Sequence, residues 1–580
     1  MVLATSLSNL KAELSTYSPL YKNPHSFPEL FDEDFSYFSA GIEDNIIPTN
    51  WKQAMATKDS QSWRLAADLE MNALHKNQTW IECQLPSGRK PIQVKWVFRI
   101  KRNSDGTIDK YKARLVAKGF VQIPGIDYNE TYAPVLRFTS FRTLLTLAAI
   151  LDLEIDHTDA NNAFLNGVIT EDLYIELPEG YNNNINNKDS GRTVGKLQKA
   201  LYGLKQSPHK WNEILVQECT NLGFIQCISD PCIMIKRDQH LFVMIAIYVD
   251  DILFIGNNRP YLDEAKKDLF KVFSMKDLGP IHTCLNIRVI RDRQNKRISV
   301  SQEHYLKEVL TRFNMTDCKS ACTPFDPGIV LTPALETENT TDAPYREAVG
   351  SLMYAMVATR PDLGAAIGLV SRYLHKSNDS HWTAVKRILR YVKHSISYSL
   401  VLGGDSPTLT GYCDADWAGD VDSRKSTSGY AFFIGNGCIS WRSTKQTSVA
   451  VSTMEAEYIA AATATRELLF LRTLLKELGF EQLNPTILYS DSQSAIANTK
   501  NLAPNHAATK HMDVKLKFLR DQVTNKTVSV EYVKTNDQVA DILTKGLPRF
   551  AFDKLSDLLG LYPVQGVVGC WNIQTDILKR

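Results

Sequence analysis

The sequence lacks the segments that would assign it to a membrane or to export. No apolar run approaches the roughly 20 residues that a bilayer-spanning helix needs, and the most apolar stretch, 241–256, is split by Asp250 and Asp251. The first 25 residues have no cationic start followed by an apolar block, so no export signal is readable. We therefore expect an intracellular protein without membrane contact.

The cysteine spacing does not support a zinc site, and the net charge does not point to a particular partner. The 10 Cys residues are scattered, and the closest spacings, Cys227 to Cys232 and Cys318 to Cys322, have no second pair to complete a zinc site. Lys and Arg total 66 against 64 Asp and Glu, a net charge of +2. Free thiols are the default for such a chain, and the overall charge indicates no partner.

Length and composition favour several packed domains. The chain has 580 residues with 44% apolar and 22% charged residues, which is an ordinary globular mixture with room for roughly four domains. Residues 1–45 are typical of a leader or linker, 323–343 of a linker, and 345–376 and 381–393 of helices, while the last packed segment is expected to end near Leu547. Helical spacing also relates several apolar residues near the start: Trp51, Met55, Trp63, Ala67, Met71 and Leu74.

Charge is concentrated in one predicted pair of β-strands, at 92–121. Between residues 87 and 118 there are ten basic residues and two aspartates, a local charge of +8, with aromatic residues interleaved: Trp96, Phe98 and Tyr111. Such a stretch suits phosphates, with aromatic rings that can stack on bases. A solvated hairpin explains the same pattern equally well.

Two apolar runs meet at the acidic pair Asp250-Asp251. A hairpin tip is the simplest interpretation, since Asp is common in turns. The apolar residues on both sides predict buried strands, however, and adjacent desolvated carboxylates are costly unless something neutralises them. A divalent cation would do so.

A third carboxylate comes from the segment 151–159. The apolar residues Leu151, Leu153 and Ile155 alternate along a predicted strand, and this alternation places Asp159 on their face and Asp156 on the other. Asp156 is therefore expected to be solvated, and Asp159 to be a ligand. Two metal ions about 3.5–4 Å apart, held by such carboxylates, are the usual device for in-line attack at phosphorus.

Tyr248-Val249-Asp250-Asp251 resembles the YxDD box of reverse transcriptases, and its surroundings resemble copia-type long-terminal-repeat retrotransposons. Five boxes, in the family's order, carry the likeness over residues 50 to about 320: KARLVAKGF at 112–120, ETYAPV at 130–135, DANNAFLNG at 159–167, LYGLKQSP at 201–208 and MKDLG at 275–279. The resemblance implies a right-hand polymerase with fingers, palm and thumb that extends a DNA primer on an RNA template with deoxynucleoside triphosphates.

The same resemblance implies roles for individual residues. Asp159, Asp250 and Asp251 would bind two Mg²⁺ or Mn²⁺ ions, with Tyr248 beside them. The other residues implied to contact nucleotide or nucleic acid are Lys112 and Arg114 in the fingers and Gly203, Lys205 and Gln206 in the palm. The sequence departs from the family at two places: Asn161-Asn162 stands where the family has Lys-Thr, and Asn286 stands where it has Gly. Gly tolerates positive φ more freely than Asn does.

A second set of acidic residues follows a different order of elements. A strand ends near Asp414, a hairpin surrounds 435–437, a helix runs from about 453 to 478, another strand ends at Asp491, and Asp541 lies on a late helix. Glu455 lies in the first turn of the long helix at capping-box spacing from Ser452, and that spacing alone favours a capping role. Residues 419–426 approach a phosphate-loop pattern, but Arg424 stands where Gly is required.

This order resembles an RNase H domain, and the wording again resembles the copia type: DADWAGD at 414–420, RKSTSG at 424–429, MEAE at 454–457, SDSQ at 490–493 and KHMD at 510–513. By that resemblance four carboxylates hold two Mg²⁺ or Mn²⁺ ions and cut the RNA strand of an RNA–DNA hybrid: Asp414, Glu455, Asp491 and Asp541. Three further carboxylates are expected to be structural or solvated: Asp416, Asp420 and Glu457. His511 is given no proton-transfer role.

We therefore expect an α+β multidomain protein, a right-hand polymerase followed by a helical connection and an RNase H-like α/β domain. The boundaries are 1–45 for a leader or linker, 46–320 for the reverse transcriptase, 321–405 for the linker and connection, 406–550 for the RNase H-like domain and 551–580 for a tail. A cytoplasmic, particle-associated location with access to the nucleus is what the resemblance implies. The alternatives are an inactive host-adopted or truncated nucleic-acid-binding remnant and, more distantly, another palm-fold enzyme such as a cyclase.

Overall fold

The computed structural model describes residues 47–102, 107–181, 193–334, 338, 340–500 and 513–563. The predicted leader, the end of the tail and His511 lie outside the described residues. Within the described ranges, no helix combines the length and apolar character that a membrane crossing requires.

Thirteen α-helices form within the described residues. They are α1 (Trp51–Ala56), α2 (Ser60–Lys76), α3 (Phe138–Ile150), α4 (Ser207–Asn221), α5 (Arg259–Val272), α6 (Glu303–Arg312), α7 (Tyr345–Ala358), α8 (Gly364–Val370), α9 (Asp379–His394), α10 (Thr453–Glu477), α11 (Gln493–Lys500), α12 (Asp513–Thr524) and α13 (Arg549–Leu558). The helices predicted near residues 51–74 and 381–393 are confirmed. The predicted helix at 345–376 is divided between α7, α8 and 3₁₀ turns.

The described residues also form twenty-one strands. They are β1 (Trp80–Gln84), β2 (Val94–Arg102), β3 (Ile108–Ala117), β4 (Glu154–Ala160), β5 (Tyr174–Ile175), β6 (Thr193–Leu197), β7 (Ile225–Gln226), β8 (Ile233–Asp238), β9 (Leu241–Tyr248), β10 (Asp251–Gly256), β11 (Met275–Pro280), β12 (Thr283–Cys284), β13 (Ile287–Asp292), β14 (Arg297–Ser301), β15 (Tyr398–Gly403), β16 (Leu409–Ala415), β17 (Thr427–Ile434), β18 (Gly437–Lys445), β19 (Thr486–Ser490), β20 (Val528–Tyr532) and β21 (Leu561–Pro563).

The basic segment forms the predicted antiparallel hairpin, β2 paired with β3. Alternation along the strands separates its two faces, because successive side chains point to opposite sides. Trp96 and Phe98 are buried, and Trp63 of α2 packs edge-on against Phe98 and Tyr111. The expectation that these aromatic rings can stack on bases is therefore wrong for Trp96 and Phe98, since Trp96 packs against Trp51 of α1 and Phe98 against α2.

A six-stranded antiparallel sheet forms the palm, in the order β11-β4-β10-β9-β8-β7. The predicted apolar runs are β9 and β10, joined by the two-residue turn Val249-Asp250. Strand β4 lies between β10 and β11, and residues on both of its faces are buried. The palm therefore places the Asp250-Asp251 segment directly beside the end of β4.

A second sheet, β12-β13-β14-β15-β21, combines strands from the predicted polymerase domain with β15 from the predicted connection and β21 from the predicted tail. Asn286 lies in the turn between β12 and β13 with φ 55°, the left-handed conformation that Gly adopts more easily. Strand β21 returns from the C-terminus to pair with β15, and α13 buries Phe552 and Leu555. The expectation that packing ends near Leu547 is wrong, because the edge of β15 and an amphipathic helix recruit residues 549–563.

The C-terminal sheet has the order β18-β17-β16-β19-β20, in which β16, β19 and β20 run parallel and the first three strands antiparallel. Helix α10 packs across β16 and β17, and the predicted hairpin and long helix are confirmed. The α+β multidomain prediction is confirmed as well. One continuous apolar core links the palm, the second sheet and this C-terminal sheet. The predicted fingers, which comprise α1, α2 and the β2–β3 hairpin, have a core of their own.

Candidate active sites

The first acidic centre forms where the palm hairpin turns. Asp251 pairs directly with Asp159 across β10 and β4, and the amide of Ala160 donates a hydrogen bond to the carbonyl of Asp250 at 2.8 Å. The structure therefore brings Asp159, Asp250 and Asp251 together at one end of the sheet. Tyr248 ends β9 and is half-buried beside them.

The turn that carries Asp250 is held in an unfavourable conformation. Val249 has φ 56°, the left-handed region that β-branched residues rarely adopt. The indole nitrogen of Trp211 donates a hydrogen bond to the Val249 carbonyl at 2.7 Å, and Trp211 is buried. This hydrogen bond from α4 holds the backbone of the turn in place, and so it also fixes the orientation of the adjacent Asp250.

Burial and neighbouring carboxylates dominate the electrostatics of this centre. Burial, followed by Asp251 and Asp159, raises the pKa of Asp250, and Arg114 opposes the rise. His157, one residue pair along β4 on the same face as Asp159, lies 2.7 Å from the Oδ1 of Asp251 through its Nε2. Sequence reasoning missed His157, although its alternation with Asp159 was a readable signal.

Asp156 contradicts the expectation of a solvated side chain. It is 1% exposed and forms a bidentate pair with Arg259 at 2.8 and 2.7 Å and a further ion pair with Lys266 of α5. Burial alone would raise the pKa of Asp156, but the hydrogen bonds from Arg259 and Lys266 hold it below its usual value. Strand β4 is a central strand covered on both faces, so alternation cannot distinguish core from solvent there.

A basic wall from the fingers faces the first centre. The guanidinium of Arg114 lies 4.4 Å from the ring centre of Tyr202. Burial raises the pKa of Tyr202 to about 12, with Arg114 opposing and Asp250 adding to the rise. Burial and then Arg114 lower the pKa of Lys112 to about 8. Arg114 is therefore close enough to Asp250 to affect its pKa, and Lys112 lies beside Arg114.

Three residues of the segment 203–206 make different contacts beside these basic residues. Gly203 has φ 87°, and a Cβ there would lie 2.1 Å from the carbonyl oxygen of Ala117, so only Gly fits. Lys205 points its Nζ at the hydroxyl of Tyr128, 3.2 Å away, near solvent. Gln206 is fully buried and donates to the carbonyl of Asp127 at 2.9 Å. Gln206 therefore holds the neighbouring loop, while Lys205 presents a charge.

The second acidic centre joins three elements of the C-terminal sheet. Asp414 is on β16, Asp491 follows β19, and Asp541 lies on a 3₁₀ turn, Val539–Leu543, where the sequence suggested a helix. Each offers a carboxylate oxygen, and these three oxygens lie within 4.8 Å of one another. Such a cluster has the oxygen ligands that Mg²⁺ prefers.

Glu457, not Glu455, is the glutamate that the structure brings to this cluster. Glu455 accepts a hydrogen bond from the amide of Val451 at 2.8 Å, while its own amide donates to Ser452. This is the capping role that the spacing favoured. Side chains two positions apart on an α-helix point in nearly opposite directions. Glu455 and Glu457 are related in this way, and Glu457 is the one that faces Asp414 and Asp491.

Burial and mutual repulsion dominate the electrostatics of the second centre. Burial, then Asp414 and Asp491, raises the pKa of Glu457 to about 9. Burial and Asp414 raise the pKa of Asp541 to about 7, with Lys545 opposing. Among the described residues, the Oε2 of Glu457 is buried without a hydrogen-bond partner. A buried, unpaired carboxylate oxygen beside three aspartates fits a bound cation.

The two other carboxylates of this region have structural contacts, and neither is solvated. Asp416 is largely buried and accepts a hydrogen bond from the amide of Thr427. Burial raises the pKa of Asp416 to about 6. Asp420 pairs with Arg372 at 3.0 Å and with Lys445 at 2.9 Å. Both side chains hold the loop that follows β16.

Comparisons with known proteins agree with this architecture. A family model described as reverse transcriptase (RNA-dependent DNA polymerase) matches residues 77–327. The chain is 42% identical over 530 residues to the retrovirus-related Pol polyprotein from transposon TNT 1-94 of Nicotiana tabacum, covering 90% of this chain and 39% of that protein. It is 38% identical over 535 residues to the corresponding polyprotein from transposon RE2 of Arabidopsis thaliana, covering 92% of this chain and 36% of that protein. The chain thus spans less than half the length of these Pol polyproteins.

A shorter relative is matched over its whole length. The chain is 30% identical over 312 residues to a transposon Ty5-1 protein of Saccharomyces cerevisiae, covering 53% of this chain and 100% of that protein. Among solved structures, a foamy viral protease–reverse transcriptase in complex with double-stranded DNA has 13% identity and a TM-score of 0.43, covering 82% of this chain and 70% of that chain. The ordered motifs and the relatives at 30–42% identity lead to one conclusion. The chain belongs to the reverse transcriptase family of copia-type retrotransposon Pol polyproteins.

Proposed function

We propose that the chain is an RNA- and DNA-directed DNA polymerase that also cleaves the RNA strand of RNA–DNA hybrids. The observation that carries this proposal is the presence of two separate carboxylate centres, one at the palm turn and one on the C-terminal sheet. Membership of the family supports the first activity. The second rests on the geometry of the cluster around Asp414.

In the polymerase centre, Asp159, Asp250 and Asp251 are the residues that would hold divalent ions. Two such ions, when bound, supply activation of the primer 3′-hydroxyl and stabilisation of the leaving oxygen. His157 orients Asp251 through the contact at 2.7 Å, and Trp211 orients Asp250 through the turn. Arg114 and Lys112 provide positive charge for a triphosphate, because guanidinium and ammonium groups bind phosphate oxygens well.

In the hybrid-cleaving centre, the proposed ligands are Asp414, Glu457, Asp491 and Asp541. Thr544 donates its hydroxyl to the Oδ2 of Asp414 and so orients that carboxylate. Binding of template, primer and hybrid would depend mainly on the phosphate backbone. We therefore expect low sequence specificity and a steep loss of affinity with added salt.

Primer extension on poly(rA)–oligo(dT) with Mg²⁺ tests the polymerase assignment. Asp250→Asn should abolish extension and leave hybrid cleavage intact, since the substitution changes only the palm centre. Asp268→Asn is the matched control, because Asp268 forms a surface pair with Lys271 on α5, and it should extend as the parent does. If the parent chain binds hybrid without extending primers, the nucleic-acid-binding alternative is favoured instead.

Cleavage of a labelled RNA–DNA hybrid tests the second centre and separates the two glutamates. Asp491→Asn and Glu457→Gln should abolish cleavage while leaving primer extension intact. Glu455→Gln should retain cleavage, since Glu455 caps a helix end. Loss of cleavage in Glu455→Gln but not in Glu457→Gln would show that the geometry of α10 has been misinterpreted.

A further inference from the structure

The hybrid-cleaving centre contains a cation of its own. The Nζ of Lys545 lies 2.9 Å from the Oδ1 of Asp541, and the lysine is one helical turn further along the chain. Lys545 is 41% exposed, whereas Asp541 is 7% exposed. Among the ion pairs of the described residues, this is the one that reaches the four carboxylates. The ammonium therefore stands at the solvent side of a buried acidic cluster.

The position of Lys545 follows from the charge that surrounds it. Asp414, Glu457, Asp491 and Asp541 are buried or half-buried and close together, and carboxylates that share a site repel one another. Without a divalent ion, one ammonium offsets part of that repulsion. When a divalent ion binds to the Oδ1 of Asp541, the same ammonium must leave that oxygen, because the two cations would repel at short range.

We propose that Lys545 is an exchangeable counter-ion, which holds the ion-free centre together and moves away when a divalent cation binds. The proposal rests on the function proposed above for this centre. The exposed four-carbon side chain of Lys545 can rotate to a second position at low cost. Lysine suits this role because its charge lies at the end of a flexible stem. Lys545 is thus a positioning residue, which acts on the centre through the carboxylate of Asp541.

Calorimetric titration with Mg²⁺ tests the exchange. The full-length chain carrying Asp250→Asn is used, so that the palm centre contributes less to the signal. With water-like screening, the attraction between the Lys545 ammonium and Asp541 at 2.9 Å, which the ion must displace, weakens Mg²⁺ binding about tenfold. Lys545→Met should therefore bind Mg²⁺ about tenfold more tightly than the parent, and Lys545→Arg should bind it as the parent does. Lys554→Met is the matched control, since Lys554 pairs at 2.8 Å with Asp537, outside the centre, and is similarly exposed at 37%.

Thermal unfolding provides a second readout that needs no activity. In EDTA, Lys545→Met should unfold at a lower temperature than Lys554→Met, and saturating Mg²⁺ should remove the difference. Equal or weaker Mg²⁺ affinity in Lys545→Met, or an unfolding deficit that Mg²⁺ does not remove, would overturn the proposal. If the parent shows no Mg²⁺ binding that Asp491→Asn abolishes, the proposed function of the centre fails, which is a different outcome from failure of the lysine exchange.

Discussion

The protons held by the second acidic centre make stability depend on pH in the absence of metal. Glu457 has its pKa raised from 4.5 to about 9 by burial and by Asp414 and Asp491. Between these two pH values the folded chain binds a proton that the unfolded chain has released. Stability must therefore fall as the pH rises through this window, being greatest below the unfolded value and lost towards the folded value.

The magnitude follows from the number of protons. For each proton that only the folded state binds, the free energy of unfolding falls by about 1.4 kcal/mol for every unit by which the pH rises. Asp541, with its pKa raised to about 7, adds a second proton at lower pH. Between pH 7.5 and 8.5 Asp541 has released most of its proton, so the contribution of Glu457 to the slope in EDTA is about −1.4 kcal/mol per unit.

Urea unfolding followed by circular dichroism at several pH values measures this slope. The difference between the parent and Glu457→Gln isolates the glutamate, because other titrating groups are common to both proteins. Saturating Mg²⁺ should flatten the parent's curve, since a bound cation displaces the proton. Equal slopes in the parent and Glu457→Gln, or a slope that Mg²⁺ leaves unchanged, would refute the reasoning.

Two further predictions concern contacts that position the centres. Buried Arg142 of α3 donates to the carbonyls of Ile439, Val357 and Ala358 at 2.7–2.8 Å, so Arg142→Met should cost about 3–5 kcal/mol of unfolding free energy. The surface substitution Arg64→Met should cost less than about 1 kcal/mol in the same urea assay. An equal cost would contradict the claim that Arg142 ties α3 to β18 and α7. Trp211→Phe removes the hydrogen bond to the Val249 carbonyl, so we expect about a tenfold fall in the kcat of primer extension with hybrid cleavage unchanged. An unchanged kcat would show that the turn needs no such support.

The sequence was sufficient where chemistry and local pattern coincide. The apolar runs around Asp250 and Asp251 predicted the palm hairpin, because buried strands and an acidic turn leave few alternatives. The order of strands and helices around Asp414 and Asp491 predicted the second centre through its resemblance to RNase H domains. These elements depend on local periodicity and on ordered motifs, both of which a single sequence contains.

The wrong predictions share a physical cause. A local sequence pattern does not show which elements from elsewhere in the chain pack over a given residue. Alternation assigned Asp156 to solvent because it cannot reveal that α5 lies over that face and supplies Arg259 and Lys266. In the same way, the low signal beyond Leu547 hid α13 and β21, which fold only against the edge of β15.

Glu457 could have been found from the sequence. Ala461, Ala464 and Leu468 follow it at helical spacing and are buried against the sheet, so this stripe identifies the face of α10 that carries the ligand. Glu455, at capping-box spacing from Ser452, belongs to the helix end instead. The resemblance to RNase H domains drew attention to the motif, but helix geometry decides between its two glutamates.

The central claim is that the chain has two separate carboxylate centres that hold divalent ions. Anomalous diffraction from crystals of the full chain grown with Mn²⁺ tests it most directly. We predict anomalous peaks within about 2.0–2.4 Å of carboxylate oxygens, some beside Asp159, Asp250 and Asp251 and others beside Asp414, Glu457, Asp491 and Asp541. Well-ordered crystals in which either centre shows no Mn²⁺ peak at saturating concentration would contradict the claim.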